Sequence, residues 1–376
     1  MRQNKETECY FDEIKIKSAL VSEQTTSERF DLLQILRAIA ALMVVVHHAI
    51  YEAGLYTEGQ GCTAPILVTL PWMAGVDLFF VISGFVMVYA SRNLFEESGA
   101  WHLFLRRRIA RIVPLYWFVT LLVVLLMMVM PSALNTDVSL THIVASFLFI
   151  PMINTQGNVQ PLFTLGWTLN FELFFYVLFA IILVFPWRMG LSLLALIMCV
   201  LVGLGAFFSL PLPFEFWTRP IILEFLGGVA IGALWLKGIT LSNLSRILLS
   251  VAGFSALLLN GSENVSQTGW ETLLFHGVPS LCLVSAAVLG EWRDTSQNRL
   301  IRFGVMMGNA SYALYLTHPF VIKGLHVAIV RGQAAAVISP ILMITIAIVL
   351  SMIIATTIYH LFEQPMTRAM RAFLNA

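Results

Sequence analysis

About ten apolar stretches follow one another along this chain, each near the roughly 20 residues that an α-helix needs to cross a bilayer. They lie near 32–53, 72–91, 112–131, 167–186, 189–208, 217–236, 247–261, 272–290, 304–330 and 334–362. In hydrocarbon a backbone must satisfy its own N–H and C=O groups, so this pattern predicts an all-α, polytopic bundle of about ten transmembrane helices. Only 11% of the residues are charged, about half the fraction of a soluble domain, which excludes a water-soluble globular protein. Spans on this scale consume most of the 376 residues and leave no room for a sizeable second domain.

Residues 1–30 are polar and mixed in charge, with Lys5, Lys15, Lys17 and Arg29, and hold no apolar core of signal-peptide length. They read as a cytoplasmic tail ahead of one transmembrane domain, 31–376. Cytoplasmic loops carry the Lys and Arg excess. With both termini in the cytoplasm, Arg92 to Arg111, Arg188, Lys237 with Arg246, Arg293 to Arg302, and Arg368 with Arg371 share the inner side, while Arg219 and Arg331 fall outside. That sidedness requires the short segment 141–153 to enter and leave by one face, as a re-entrant or interfacial element. The outer loops of any size are 54–71, 153–166 and 262–271. The 22 basic and 21 acidic side chains nearly cancel, so no global field exists to attract nucleic acid. Cys9, Cys62, Cys199 and Cys282 stand singly, which indicates neither a disulfide framework nor a metal site.

An ionisable side chain inside a span is costly and tends to face a cavity or a partner, so each is a candidate site residue. On the first span Arg37 and His48 are eleven positions apart, which at about 100° per residue returns to within roughly 20° of one helix face. Gln34, Ala41 and Val44 share that face, whereas His47 points elsewhere. The pair stand about 16 Å apart along the axis, and the small Ala41 leaves room for a long, thin ligand between them. Taken singly, Arg37 reads as well as a snorkelling interface residue, and His48 as a hydrogen-bonding partner of a neighbouring helix.

Asp77, in Gly75-Val76-Asp77-Leu78-Phe79-Phe80, lies about six residues from the outer surface in the assigned orientation. Thr168, Glu172 and Tyr176 recur at i, i+4 and i+8 as one polar stripe, and Glu172 has a similar depth. His48, Asp77 and Glu172 are therefore expected at one level, where a base and two carboxylates can form an acid/base site. For Asp77 an interhelical ion pair is an equal reading. Arg106, Arg107, Arg108 and Arg111 precede Ile112-Val113-Pro114. Guanidinium groups suit phosphate, and Arg108 and Arg111 at i, i+3 can face one ligand, while Arg106 and Arg107 read as anchors to anionic lipid. Ser311, Tyr315 and His318 share a face beside Pro319, which frees the carbonyl of Tyr315. They can line a mid-membrane cavity, or His318 can be structural. Glu224 and Glu363 read as counter-ions to arginines.

Together these groups suggest a phosphorylated ligand reaching inward from the cytoplasm, and coenzyme A has that shape. Arg37, Arg108 and Arg111 would hold its phosphates while its thioester approaches His48. An acceptor hydroxyl would then lose its proton to the neutral imidazole, with Asp77 or Glu172 steadying the imidazolium. A covalent acyl-histidine relay is the alternative.

These residues also carry a resemblance. Leu33 to His48, with its Arg37 and His48 spacing, resembles the first helix of the acyltransferase family 3 membrane proteins. Gly75 to Phe85, Arg108 to Arg111, Gly166-Trp167-Thr168-Leu169-Asn170-Phe171-Glu172, Ser311 to Pro319 and Glu363 to Pro365 resemble its further motifs, in order and over about residue 30 to the C terminus. Phe149-Ile150-Pro151, Pro161 and the Trp167 to Glu172 motif are most similar to bacterial exopolysaccharide O-acetyltransferases of the succinoglycan type. The resemblance implies ten helices in a bacterial inner membrane, acetyl-CoA as cytoplasmic donor and His48 as essential base. It also implies Arg37, Arg108 and Arg111 in donor binding or catalysis. Trp167, Tyr315 and His318 are the candidates for substrate contact. The acceptor would be a cell-surface glycan or lipid-linked oligosaccharide, with polysaccharide assembly machinery as a partner. The tail before Phe30 lies outside these motifs, and no C-terminal esterase-like domain follows them. The rival reading is a transporter or flippase of lipid-linked sugar or acyl groups, with the arginines on phosphate and the acids in a proton relay. A structural subunit of an assembly complex is a third.

Overall fold

The computed structural model describes residues 31–56, 69–129, 139–260, 268–290, 298–332 and 338–375. The expected tail 1–30, Cys9, Cys62, Arg293 and parts of the loops 54–71 and 262–271 lie outside the described residues. Those described are helical, and only two isolated bridges, Ile153 with Val159 and Leu241 with Gly290, interrupt the helix and loop pattern. In chain order the helices are α1 Asp31–Tyr56, α2 Ala74–Ala90, α3 Ala100–Val129, α4 Leu140–Phe147, α5 Trp167–Ile182, α6 Trp187–Phe207, α7 Ile222–Leu236 and α8 Asn243–Asn260. Then follow α9 Trp270–Val288, which contains a π turn at Leu273–Gly277, α10 Arg299–Asn309, α11 Ser311–Arg331 and α12 Pro340–Ile358. A second π turn, Tyr359–Glu363, leads into α13 Gln364–Leu374.

Among the described residues, seven helices are long and apolar enough to cross a membrane, and three shorter apolar ones are Ala74–Ala90, Ile222–Leu236 and Asn243–Leu259. In their described residues the ten expected stretches are mainly helical, with differences at their ends. Up to Val129 the stretch 112–131 belongs to a 30-residue helix starting at Ala100, so the arginine cluster lies inside the helix and not at its entrance. Pro114 is accommodated within that helix; lacking an N–H, it leaves the Ala110 carbonyl without its usual partner. The stretch 304–330 is two helices, which part at Ala310. Segment 141–153 begins as the eight-residue α4, capped by the Ser139 hydroxyl accepting from the His142 amide at 3.2 Å. At about 12 Å it is too short to span, and Tyr116 and Trp117 of α3 tie it down by donating to the carbonyls of Ser146 and Phe147.

Lipid tails are as apolar as leucine, so helices associate through close packing more than through the hydrophobic effect. Small residues supply that closeness. Central α1 buries Ala38, Ala40, Ala41, Ala49 and Ala53 and packs against α2, α9, α10, α11 and α12. Between α2 and α7 the backbones nearly touch: a Cβ on Gly84 would stand 2.0 Å from the Phe225 carbonyl oxygen, and one on Gly228 would stand 2.0 Å from that of Val81. Aromatic rings fill the space beside this crossing, with Phe80 and Phe175 packed on Phe225 at centroid distances of 4.5 and 4.7 Å. This rigid α2–α7–α5 unit positions Ser83 and Glu172.

Candidate active site

Arg37 projects from α1, Arg108 and Arg111 from α3, and Glu172 and Tyr176 from α5, and together they line a cavity of about 100 Å³. The i, i+3 spacing puts Arg108 and Arg111 on one side of α3, as expected. Glu172 accepts from the Ser83 hydroxyl at 2.9 Å and from the Tyr176 hydroxyl, which fixes the carboxylate within the cavity wall. Arg37 donates to the Gln34 amide oxygen at 3.0 Å. The Arg108 guanidinium lies 5.5 Å from the centroid of the Phe104 ring, and its Nε is buried with no hydrogen-bond partner. A buried charged donor left unpaired is costly, so this wall suits an anion. Glu363, on the π turn before α13, is buried and within electrostatic reach of Arg37 and Arg111, in keeping with a counter-ion. The three arginines also line a second, larger cavity beyond them.

His48 lies about 16 Å further along α1 than Arg37. Its Nδ1 is 2.8 Å from the carbonyl oxygen of Val44, and Nδ1 of His318 is 3.0 Å from that of Leu314. A carbonyl only accepts, so both rings are assigned as the Nδ1–H tautomer when neutral. Nε2 of His48 then keeps its lone pair. Nε2 of His318 lies 3.4 Å from Nδ1 of His48, its own lone pair facing that N–H. The His318 ring thus takes the carbonyl one residue before the one that Pro319 frees. Tyr315 joins the two regions: it lines the cavity, donates to the Leu165 carbonyl at 3.2 Å, shares a 3.0 Å hydrogen bond with Thr168 and has its ring centroid 6.3 Å from that of His318. One turn past His48, Glu52 pairs with Nδ1 of His326 at 2.9 Å.

His48, Asp77 and Glu172, expected at one level, each meet different partners. Asp77 pairs with His276 of α9 at 3.6 Å, and Glu224 of α7 lies against it. Glu224 is fully buried beside Gly277, where a Cβ would stand 2.8 Å from its carboxylate oxygen. Its neighbour is therefore a carboxyl group, not the arginine expected for it. Glu172 belongs with the arginines, and Ser83, six residues after Asp77 on α2, is what it meets. Trp167 packs edge-on against Phe80 and Phe171 at 6.4 and 6.1 Å and is 7% exposed, an aromatic core position next to the cavity wall. The sequence patterns did not single out Ser83, Glu52, His276 or His326, nor Tyr312, which lines the cavity and donates to the Ile112 carbonyl at 2.7 Å. Glu52 at i+4 from His48 and His326 at i+8 from His318 were open to the same stripe argument that found Arg37.

Residues 30–360 match the family model described as an acyltransferase domain. The exopolysaccharide production protein ExoZ of Rhizobium meliloti (strain 1021) is 33% identical over 307 residues, 80% of this chain and 90% of that one. The acyltransferase MdmB of Streptomyces mycarofaciens is 26% identical over 317 residues, 77% of this chain and 78% of its own. Protein 2 in the picA locus of Rhizobium radiobacter is 36% identical over 94 residues, 25% of this chain and 43% of that one. No solved structure matches the chain.

Proposed function

The chain is a multi-pass membrane protein of acyltransferase family 3, and from that premise we propose that it transfers acetyl from cytoplasmic acetyl-CoA to a hydroxyl of a cell-surface or exopolysaccharide glycan. The reading places about ten spans in a bacterial inner membrane with both termini cytoplasmic, and the arginine end of α1 inward. The observation that carries it is the shared stripe of α1, with Arg37 in an arginine-lined cavity at one end and a histidine holding a free Nε2 lone pair at the other.

In this proposal Arg37, Arg108 and Arg111 hold the donor's phosphates, the unpaired Nε of Arg108 supplying a ready charge-assisted donor. The donor brings a thioester whose carbonyl carbon accepts the glycan oxygen. Nε2 of His48 takes the hydroxyl proton as the C–O bond forms. The C–S bond breaks, and the imidazolium returns the proton to the departing sulfur, so the products are an acetyl ester and a free thiol. His318 is placed to steady that imidazolium, its Nε2 lone pair facing the His48 Nδ1–H. Asp77, paired with His276, has no part in this step. The name of ExoZ supports an exopolysaccharide acceptor, and that of MdmB supports acyl transfer.

Purified protein given radiolabelled acetyl-CoA and extracted polysaccharide should place label in the glycan as a base-labile ester. Glycan or lipid-linked sugar that crosses the bilayer without acquiring label would contradict this and identify a carrier.

A further inference from the structure

The second cavity, of about 360 Å³, lies where α1 and α3 begin and α2 ends, with α13 reaching it. Among the described residues its wall carries Arg37, Arg107, Arg108, Arg111 and Arg371 and no carboxylate. Three of these also line the inner cavity, so Arg107 and Arg371 are the outer pair. Arg371 stands close enough to Arg107 and Arg111 for mutual repulsion. It comes from a helix with no fully buried residue, which packs along α3. Glu363 and Glu172 offset part of the charge on the deep trio, but five arginines on one cavity wall outnumber them and favour a polyanion. The buried, unpartnered Nε of Arg108 in the same wall is a donor suited to an anionic acceptor.

The arginines divide into a deep trio and an outer pair, and the ligand's charge should divide in the same way. Coenzyme A does so: a pyrophosphate leads to the pantetheine arm, and a ribose 3′-phosphate monoester, close to a dianion at neutral pH, hangs off the nucleotide end. Resting on the donor reading above, we infer that Arg107 and Arg371 form a separate phosphate-monoester subsite at the cavity mouth that recognises the 3′-phosphate of the donor. Arg107, expected from the sequence to be a lipid anchor, then acts in ligand selection. Their bidentate forks match the three terminal oxygens of a monoester better than the shared oxygens of a diester. A lipid headgroup ending in a phosphate monoester offers the same chemistry and is the competing occupant.

The test uses the full chain in nanodiscs of neutral phosphatidylcholine, and again with an added lipid bearing a terminal phosphate. Binding of coenzyme A and of 3′-dephospho-coenzyme A is measured for wild type, Arg107→Gln, Arg371→Gln and the double variant. Both side chains are exposed, so the fold should tolerate the changes. Wild type should prefer coenzyme A by about tenfold or more. The double variant should bring that ratio near one while binding the dephospho form as wild type does, and Arg371→Lys should restore part of the ratio. An unchanged ratio, or an equal loss for both ligands, overturns the subsite and leaves the donor reading standing. A wild type that binds neither ligand overturns the donor reading itself. A preference absent in neutral discs, with the terminal-phosphate lipid bound more weakly by the double variant, assigns the pair to lipid and overturns the proposal.

Discussion

The arginine cavity and the Asp77–His276–Glu224 cluster both hold ionisable groups deep among the helices, but they handle charge in opposite ways. The cavity gathers cations from α1 and α3 around open space, with one carboxylate, Glu172, already engaged by Ser83 and Tyr176. The cluster sets acids against an imidazole in a closed space: Asp77, Glu224 and His276 are 3%, 0% and 4% exposed, and Glu224 lies where a Cβ on Gly277 would stand 2.8 Å from its carboxylate oxygen. Open, like-charged space is a binding arrangement, whereas a closed contact among α2, α7 and α9 holds helices together. Depth alone grouped Asp77 with the chemistry, whereas its contacts give it His276 of α9 as a partner.

The sharpest way to break this contrast is to exchange the two outcomes, affinity and stability. Replacing both Arg108 and Arg111 by Ala removes charge-assisted bonds of about 1.5–3 kcal/mol each. Coenzyme A affinity, followed by calorimetry, should fall by a factor on the order of 10² to 10⁴, with the ligand-free melting temperature unchanged or raised. Asp77→Ala should do the reverse. Breaking a buried pair costs about 3–5 kcal/mol, so the melting temperature should drop clearly while the folded fraction binds coenzyme A as before. Weakened binding at an unaltered melting temperature would return Asp77 to the site.

Gly84→Ala tests the scaffold shared by both regions. A methyl group there meets the Phe225 carbonyl, and overpacking of this kind costs about 1–3 kcal/mol, visible as a lower melting temperature with activity reduced in proportion to folded protein. A variant as stable as wild type would show that α2 and α7 can separate freely. The smallest effect is expected of Tyr176→Phe, which removes one hydrogen bond to Glu172 worth about 0.5–1.5 kcal/mol. Turnover should fall by several-fold at most with a correspondingly small drop in melting temperature, and an unchanged rate would remove Tyr176 from the working wall.

Helical periodicity could place Arg37 and His48 on one stripe because both lie on one helix, where rotation per residue is known. It could join Arg108 to Arg111 and Glu172 to Tyr176 for the same reason. What it could not supply was the rotation of one helix relative to another. Asp77 and Ser83 are about 9 Å apart along α2, and only packing decides that Ser83 meets Glu172 while Asp77 turns to His276. The contact of His48 with His318 joins α1 to α11 across most of the chain and has no local signature. Helix ends were legible only approximately, since an argument based on polarity starts the span after Arg111, whereas α3 begins at Ala100.

The central claim is that His48 acts on the acceptor while the arginines hold the donor, and single-turnover acetyl transfer by His48→Ala tests it most directly. With donor binding measured in parallel, the account predicts a rate lower by about 10² to 10⁴ and coenzyme A affinity equal to that of wild type. Transfer at the wild-type rate with donor binding intact would contradict it.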